Sequence, residues 1–278
     1  MVINRHKEKY PVATMCAFFE VSRSGYYDFV KRMDKPNCDE PLAQAIAECQ
    51  KHCRKTYGYR RVQIWLERVK GIHVNPKTVL RVMNKYGLLS EIRRRRAYRQ
   101  MGEQLHRYEN LLNRNFHANK PNQKWVTDIS YIHTGQGVLY LSMIKDLYDN
   151  SIITYKSGTE QTINLVLNTI REAKAKEAVA AELQLHSDQG FQYTSRAYFN
   201  LTKEYGITPS MSRRGNCYDN APAENFFGIL KSECINRRKI SNFATAKALI
   251  DEYIHFYNHE RIQFKTKLTP LERRRQFA

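Results

Sequence analysis

From residue 119 onward, the order of local signals leaves few folds open. "KWVTDISYI" and "GVLYLSMIKDLYDNSIITYKSG" are rich in Val, Ile, Tyr and Thr and are broken by glycine turns. That pattern predicts three antiparallel strands. "TINLVLNTIREAKAKEA" then carries apolar residues at helical spacing. "LQLHSD" reads as a short strand, "TSRAYFNLTKEYG" as a helix closed by Gly206, and "ITPSMS" as a further strand. Helices follow in "DNAPAENFFGILKSECI" and "NFATAKALIDEYIHFYNHER". Three strands, helix, strand, helix, strand, helices describe a mixed α/β sheet of ribonuclease-H type.

Upstream, the period is helical throughout. Residues 1–38 read as a short N-terminal segment of two helices broken near Ser22 and Gly25. Residues 39–91 read as a helix-turn-helix unit. In "YRRVQIWLERVKG" the residues Val62, Trp65, Leu66 and Val69 form one stripe, with Gly71 just past the end. In "HVNPKTVLRVMNKYGLL" Asn75 is the expected N-cap, Pro76 the first helical residue and Gly87 the C′ residue. Val79, Val82, Met83 and Tyr86 make the apolar face. Residues 92–118, opening on "EIRRRRAYRQ", read as a basic linker, and 119–278 as the α/β core with C-terminal helices.

Charge suggests the partner. Lys and Arg total 46 against 27 acidic residues, a formal charge of +19 in 278 residues. Such an excess predicts binding to a polyanion, nucleic acid first. Arg60, Arg61, Lys77 and Arg81 surround the helix-turn-helix, and Arg93, Arg94, Arg95 and Arg96 form an arm suited to lie on phosphates. No apolar run reaches membrane-spanning length, and "MVINRHKEKYP" lacks the apolar core of a signal peptide. The six cysteines have no framework spacing and read as reduced thiols. Cys49, His52 and Cys53 share a helix, but no second ligand pair at zinc-site spacing accompanies them.

Three acids stand where packing alone would not put them. Asp128 interrupts the first strand, and Asp188 ends the fourth. If those strands are neighbours, both carboxylates meet at one sheet edge, where they repel unless they share a proton or a cation. Magnesium, a hard ion that favours oxygen ligands, answers that need. Glu224 lies near the start of a helix that Asn220 caps and Pro222 opens. Phe227, Leu230 and Cys234 form its buried stripe, while Gly228 and Lys231 share the face of Glu224, an arrangement suited to a phosphate backbone. Asp146 and Asp149 read as turn or salt-bridge residues, and Asp219 as a loop or cap residue. His186 is expected on the opposite sheet face from Asp188, in a structural role.

"WVTDISYI", "LHSDQGFQYTS", "MSRRGNCYDNAPAENFFGILKSE" and "FYNHERIQFKTKLTPLE" together resemble the DDE-transposase and retroviral-integrase superfamily. More closely, they resemble the second-frame product of insertion sequences of the IS-three family. The thirty-five residues between Asp188 and Glu224 match that group's interval. The resemblance implies a transposase that cleaves DNA and transfers strands with Asp128, Asp188 and Glu224 as catalytic metal ligands. It implies two Mg²⁺ ions, which Mn²⁺ can replace. It also implies that Lys231 grips the processed end, with Arg213 and Arg214 as further DNA contacts. No sustained heptad precedes residue 40, so the chain is read as the second frame by itself. The expected partners are double-stranded DNA, further copies of the chain on that DNA, and the upstream-frame protein. The expected setting is a bacterial cytoplasm, on the nucleoid, with no membrane. Two rival readings stay open here: a nuclease of the same fold without strand transfer, and a DNA-binding regulator with an inactive core.

Overall fold

The computed structural model describes residues 2–33, 38–91, 108–177 and 182–277. The arginine arm, Arg93 to Arg96, lies outside the described residues.

Strand β1 (Lys124–Thr134) is the centre of the sheet. It pairs antiparallel with β2 (Gly137–Asp146), which pairs antiparallel with β3 (Ile152–Gly158). On its other side β1 runs parallel to β4 (Gln184–Ser187), and β4 runs parallel to β5 (Thr208–Met211). The order is β3-β2-β1-β4-β5. Parallel neighbours need a crossover. Helix α7 (Ile163–Lys176), capped by the Thr162 hydroxyl, carries the chain from β3 to β4, and α8 (Arg196–Glu204) carries it from β4 to β5.

Alternation along β1 divides its side chains between two cores. Trp125 and Ile129 pack with α7 and α8. Val126 and Ile132 pack on the opposite side, against α9 (Ala221–Glu233) and α10 (Phe243–His259). Asp128 falls between Val126 and Ile132 and shares their side.

The N-terminal helices α1 (Val2–His6), α2 (Val12–Phe18) and α3 (Arg23–Met33) bury a small cluster of Ile3, Met15, Cys16 and Tyr26. The break falls at Ser22, whose hydroxyl accepts the Gly25 N–H at 3.0 Å. Gly25 itself is helical, contrary to the sequence expectation.

Helices α4 (Glu40–His52), α5 (Tyr59–Lys70) and α6 (Pro76–Lys85) pack on one another. Gly71 and Gly87 both adopt φ +66° just past their helices, a left-handed conformation that glycine takes without strain. The Asn75 side chain accepts the Lys77 N–H at 2.8 Å, so α6 is capped as its sequence requires. Val69 is 58% exposed and leaves the expected stripe; Ile64 is buried instead. Cys49 and Cys53 are buried, and His52 turns away to pair with Glu260 at 3.2 Å.

This helical unit is packed onto the core. One apolar cluster contains Ile46, Trp65 and Val82 together with Val126, Phe226 and Tyr253. Tyr57 joins the two parts: its hydroxyl donates to the Glu260 carbonyl at 3.2 Å and accepts the Ile262 N–H at 2.7 Å. Helix α11 (Pro270–Arg275) closes the chain against the β2–β3 turn. There Arg274 binds Asp146 at 3.0 Å and Asp149 at 2.7 Å, so both acids are salt-bridge partners. No described helix is long and apolar enough to cross a membrane.

Candidate active site

The β1–β4 ladder brings two carboxylates level. Val126 pairs with His186. Two residues further along each parallel strand stand Asp128 and Asp188. One Asp128 oxygen accepts the Ile129 N–H at 2.8 Å, and Asp188 Oδ1 accepts the Gly190 N–H at 3.0 Å. A Cβ at Gly190 would lie 3.0 Å from that Asp188 oxygen and 3.0 Å from Gln192 Oε1, so this tight turn is shaped around the carboxylate.

Burial pushes the Asp128 carboxyl well above the usual range, and the charges of Asp188 and Glu224 push it further. Asp188 is raised too, by burial. This is the electrostatic signature of acids collected where cations or protons are wanted.

Glu224 is exposed on the first turn of α9. Phe226, Phe227 and Leu230 hold that helix on the sheet. Asn220 does not cap it, contrary to expectation. Its amide instead donates to the Thr127 carbonyl at 3.2 Å, which ties the helix start to the residue before Asp128. The Asn220 Oδ1 is buried without a partner. Lys145 also reaches this turn. It is buried on β2 with its ammonium 3.3 Å from the Pro222 carbonyl, and burial pushes its pKa down to about 8.

Three hard carboxylate oxygens suit a divalent ion such as Mg²⁺ or Mn²⁺. Among the described residues, no three His, Cys, Asp or Glu side chains stand close enough to ligate one ion together. Asp128 and Asp188 form the inner pair, and Glu224 stands off on the exposed side of α9, acting on Asp128 through its field.

Lys231 is half-buried, its ammonium 5.9 Å from the centre of the Tyr131 ring. Burial lowers its pKa and Asp128 opposes that shift, so the lysine belongs to the same edge as the acids. Glu233, two residues further on, is engaged elsewhere. That carboxylate is buried with Arg261 at 2.7 Å and accepts the Tyr253 hydroxyl at 2.6 Å.

Several expected DNA contacts are engaged within the chain. Arg213 forms two bonds of 2.9 Å to Asp219 and donates its backbone N–H to the same carboxylate at 3.0 Å. Asp219 is therefore more than a loop residue. Fully buried, it also holds Arg114 at 2.9 Å and Asn110 at 2.8 Å, and these partners keep its pKa far below the usual carboxylate range. Arg81 binds Asp39 through both guanidinium ends, at 2.6 and 2.8 Å. Arg61 turns inward over the Tyr57 ring, and its Nε is buried without a partner. Arg60, Lys77 and Arg214 are exposed. A run of basic residues could not reveal these local acids. His186 is structural, but not by facing away from Asp188, since positions two apart on a strand project to the same side. It is fully buried between Ser210 at 2.8 Å and Ser212 at 3.1 Å, and burial lowers its pKa to about 4.

Residues 118–217 and 224–277 match family models described as integrase core domain, and residues 37–96 match an HTH-like domain. The putative transposase InsK for insertion sequence element IS150 of Escherichia coli (strain K12) is 41% identical over 278 residues, covering 99% of this chain and 97% of that protein. The chain belongs to the IS3 family of insertion-sequence transposases. A further member, transposase InsF for insertion sequence IS3A of the same organism, is 32% identical over 263 residues, covering 91% of this chain and 89% of that protein. The fold is shared with a chain of the simian T-cell lymphotropic virus intasome, solved in complex with PP2A regulatory subunit B56 gamma. The TM-score is 0.50 at 14% identity, over 76% of this chain and 74% of that chain. The IS3-family transposase described here is thus a DNA-cleaving and strand-transferring enzyme with a ribonuclease-H-like core and a helix-turn-helix-like region.

Proposed function

We propose that Asp128, Asp188 and Glu224 are the catalytic carboxylates of this transposase and hold two Mg²⁺ ions, or Mn²⁺ in their place. The observation that carries the reading is the Asp128–Asp188 pair at the β1–β4 edge, with the charge of Glu224 reaching Asp128 from α9. Asp188 directly follows β4, whose last partner on β1 is Val126, two residues before Asp128, and the Asp128 carboxyl feels both Asp188 and Glu224. When bound, divalent ions supply charge neutralisation and an activated water or 3′-hydroxyl for phosphodiester cleavage and transfer.

The chain's own residues do the rest. The Gly190 turn and the Ile129 N–H hold the two aspartates in place. The Asn220–Thr127 bond and the Phe226–Phe227–Leu230 face set α9, and hence Glu224, against β1. Lys231 grips a phosphate of the processed end. Arg60 and Lys77, with Arg214 and the arm Arg93 to Arg96, carry the backbone contacts that give affinity without sequence information. Residues 39–91 recognise DNA and residues 119–278 catalyse, after an N-terminal segment 1–38 and a linker 92–118. The enzyme works as a homo-oligomer on element ends and target DNA in the bacterial cytoplasm, with the upstream-frame protein as a further partner.

The test is strand cleavage and joining of a duplex ending in the element's terminal repeat. Asp128→Ala, Asp188→Ala and Glu224→Ala should each abolish both steps and leave duplex binding intact. Full cleavage by any one of them would sink the assignment.

A further inference from the structure

Next to the carboxylates lies an aromatic side chain that the reaction as described does not use. Tyr131 follows Asp128 by three residues on β1, roughly 10 Å along the strand, so its side chain leaves the opposite face. Strand β4 pairs with β1 only as far as Val126, and Lys231 reaches the ring past the end of that pairing. It is 45% exposed. Its cross-strand partner is Tyr140, whose ring meets it edge-on with centroids 5.9 Å apart and planes at 88°. That packing fixes the tyrosine in one orientation at the sheet surface. Lys231, reaching across from α9, sets its ammonium 5.9 Å from the same ring. The fields of Asp128 and Asp188 both act on the Tyr131 phenol, so the ring lies within electrostatic reach of the site.

An exposed, braced aromatic ring beside a cation is the combination that sites for unpaired nucleic acid use. The ring stacks on a base face, and the cation holds the backbone. The end of a DNA duplex is where a base face becomes available to protein. We propose that Tyr131 is the floor of a nucleobase subsite, on which one of the last bases of the DNA end stacks while Lys231 holds an adjacent phosphate. Every base has a π-face, so the subsite recognises an end rather than a sequence. Tyr140 is its brace, and the ring hydroxyl is dispensable.

The inference rests on the placing of the DNA end at Asp128 and Asp188, and its test separates the two claims. The full-length protein joins pre-cleaved duplexes bearing the element's terminal sequence. In a parallel series, an abasic sugar replaces the last few nucleotides one at a time. Tyr131→Phe should match wild type. Tyr131→Leu should raise the KM for the end by roughly tenfold to a hundredfold, the range set by one lost base stack. At a single position, the abasic substitution should impair wild type to the same degree and add nothing to the loss in Tyr131→Leu. Additive losses at every position, or a Tyr131→Leu enzyme with wild-type KM, would overturn the subsite. Inactive Asp128→Asn and Asp188→Asn enzymes alongside such additivity would leave the carboxylate assignment standing. Active Asp128→Asn and Asp188→Asn enzymes would remove that assignment and the subsite with it.

Discussion

Asp128 and Asp188 are costly residues for the fold that holds them. Each carboxyl is raised in the folded state, chiefly by burial. A raised acid binds its proton more tightly when folded, so its contribution is fully present below an unfolded pKa of about 4 and is lost as pH rises through the folded value. At neutral pH without divalent ions, the pair therefore destabilises the chain. We expect Asp128→Asn and Asp188→Asn to raise the urea midpoint under those conditions, corresponding to on the order of 1 kcal/mol of unfolding free energy, while abolishing cleavage. Mg²⁺ should raise the wild-type midpoint more than that of either variant. Unchanged or lowered midpoints in both variants would contradict the argument. His186 runs the other way. Its folded pKa of about 4 lies below the usual value of about 6.5, so the unfolded chain takes up the extra proton between those limits and stability falls as pH drops through that window. The loss is at most about 3–4 kcal/mol, and His186→Gln should flatten the stability profile across that window. Lys231→Ala should keep the fold but lose affinity for the processed end, with Lys231→Arg recovering part, since both supply a cation but differ in shape.

At the scale of elements, α9 is held at both ends, and the two anchors differ in kind. Its start is tied to β1 by one amide, from Asn220 to the Thr127 carbonyl. Its end is fixed by a buried ion pair: Glu233 and Arg261 are 3% and 5% exposed, with Tyr253 donating to the same carboxylate. Removing one member of such a pair leaves an uncompensated charge in the core. Glu233→Gln should therefore cost about 3–5 kcal/mol by chemical denaturation, and Glu233→Met combined with Arg261→Met should restore most of it. If the double variant is no more stable than the single, the loss reflects packing rather than a stranded charge.

Across the whole molecule, the helix-turn-helix region and the catalytic core share one apolar cluster, with the Tyr57 hydroxyl making a bond in each direction between them. Tyr57→Phe keeps the ring and strands the Ile262 N–H, so a loss of about 1–3 kcal/mol is expected in unfolding experiments. A second transition in that variant would show the two parts uncoupling. The charge of +19 acts on the same scale. Neutralising Arg93 to Arg96 should flatten the slope of log affinity against log salt by about four times 0.9 if all four touch phosphates. An unchanged slope would mean that the arm makes no contact with DNA.

The sequence alone determined what depends on local chemistry. Glycines past the ends of α5 and α6, the Asn75 cap, and the change from helical to β-rich signals after residue 119 are short-range properties, and each appears where expected. Asp128 inside the first strand and Asp188 at the end of the fourth were legible for the same reason: a charge stands out against its neighbours. Tertiary structure decided everything that depends on which distant residues meet. Arg81 reads from its neighbours as an exposed phosphate contact, yet Asp39, forty-two residues away, binds it in the folded chain. Asn220 read as a cap until the Thr127 carbonyl came within reach. Tyr131 read as one more β-former until Tyr140 and Lys231 framed its ring. The physical reason is common to all of these. A side chain's propensity is set within a few residues of it, whereas its charge, hydrogen bonds and exposure are settled by partners that only the folded chain brings near.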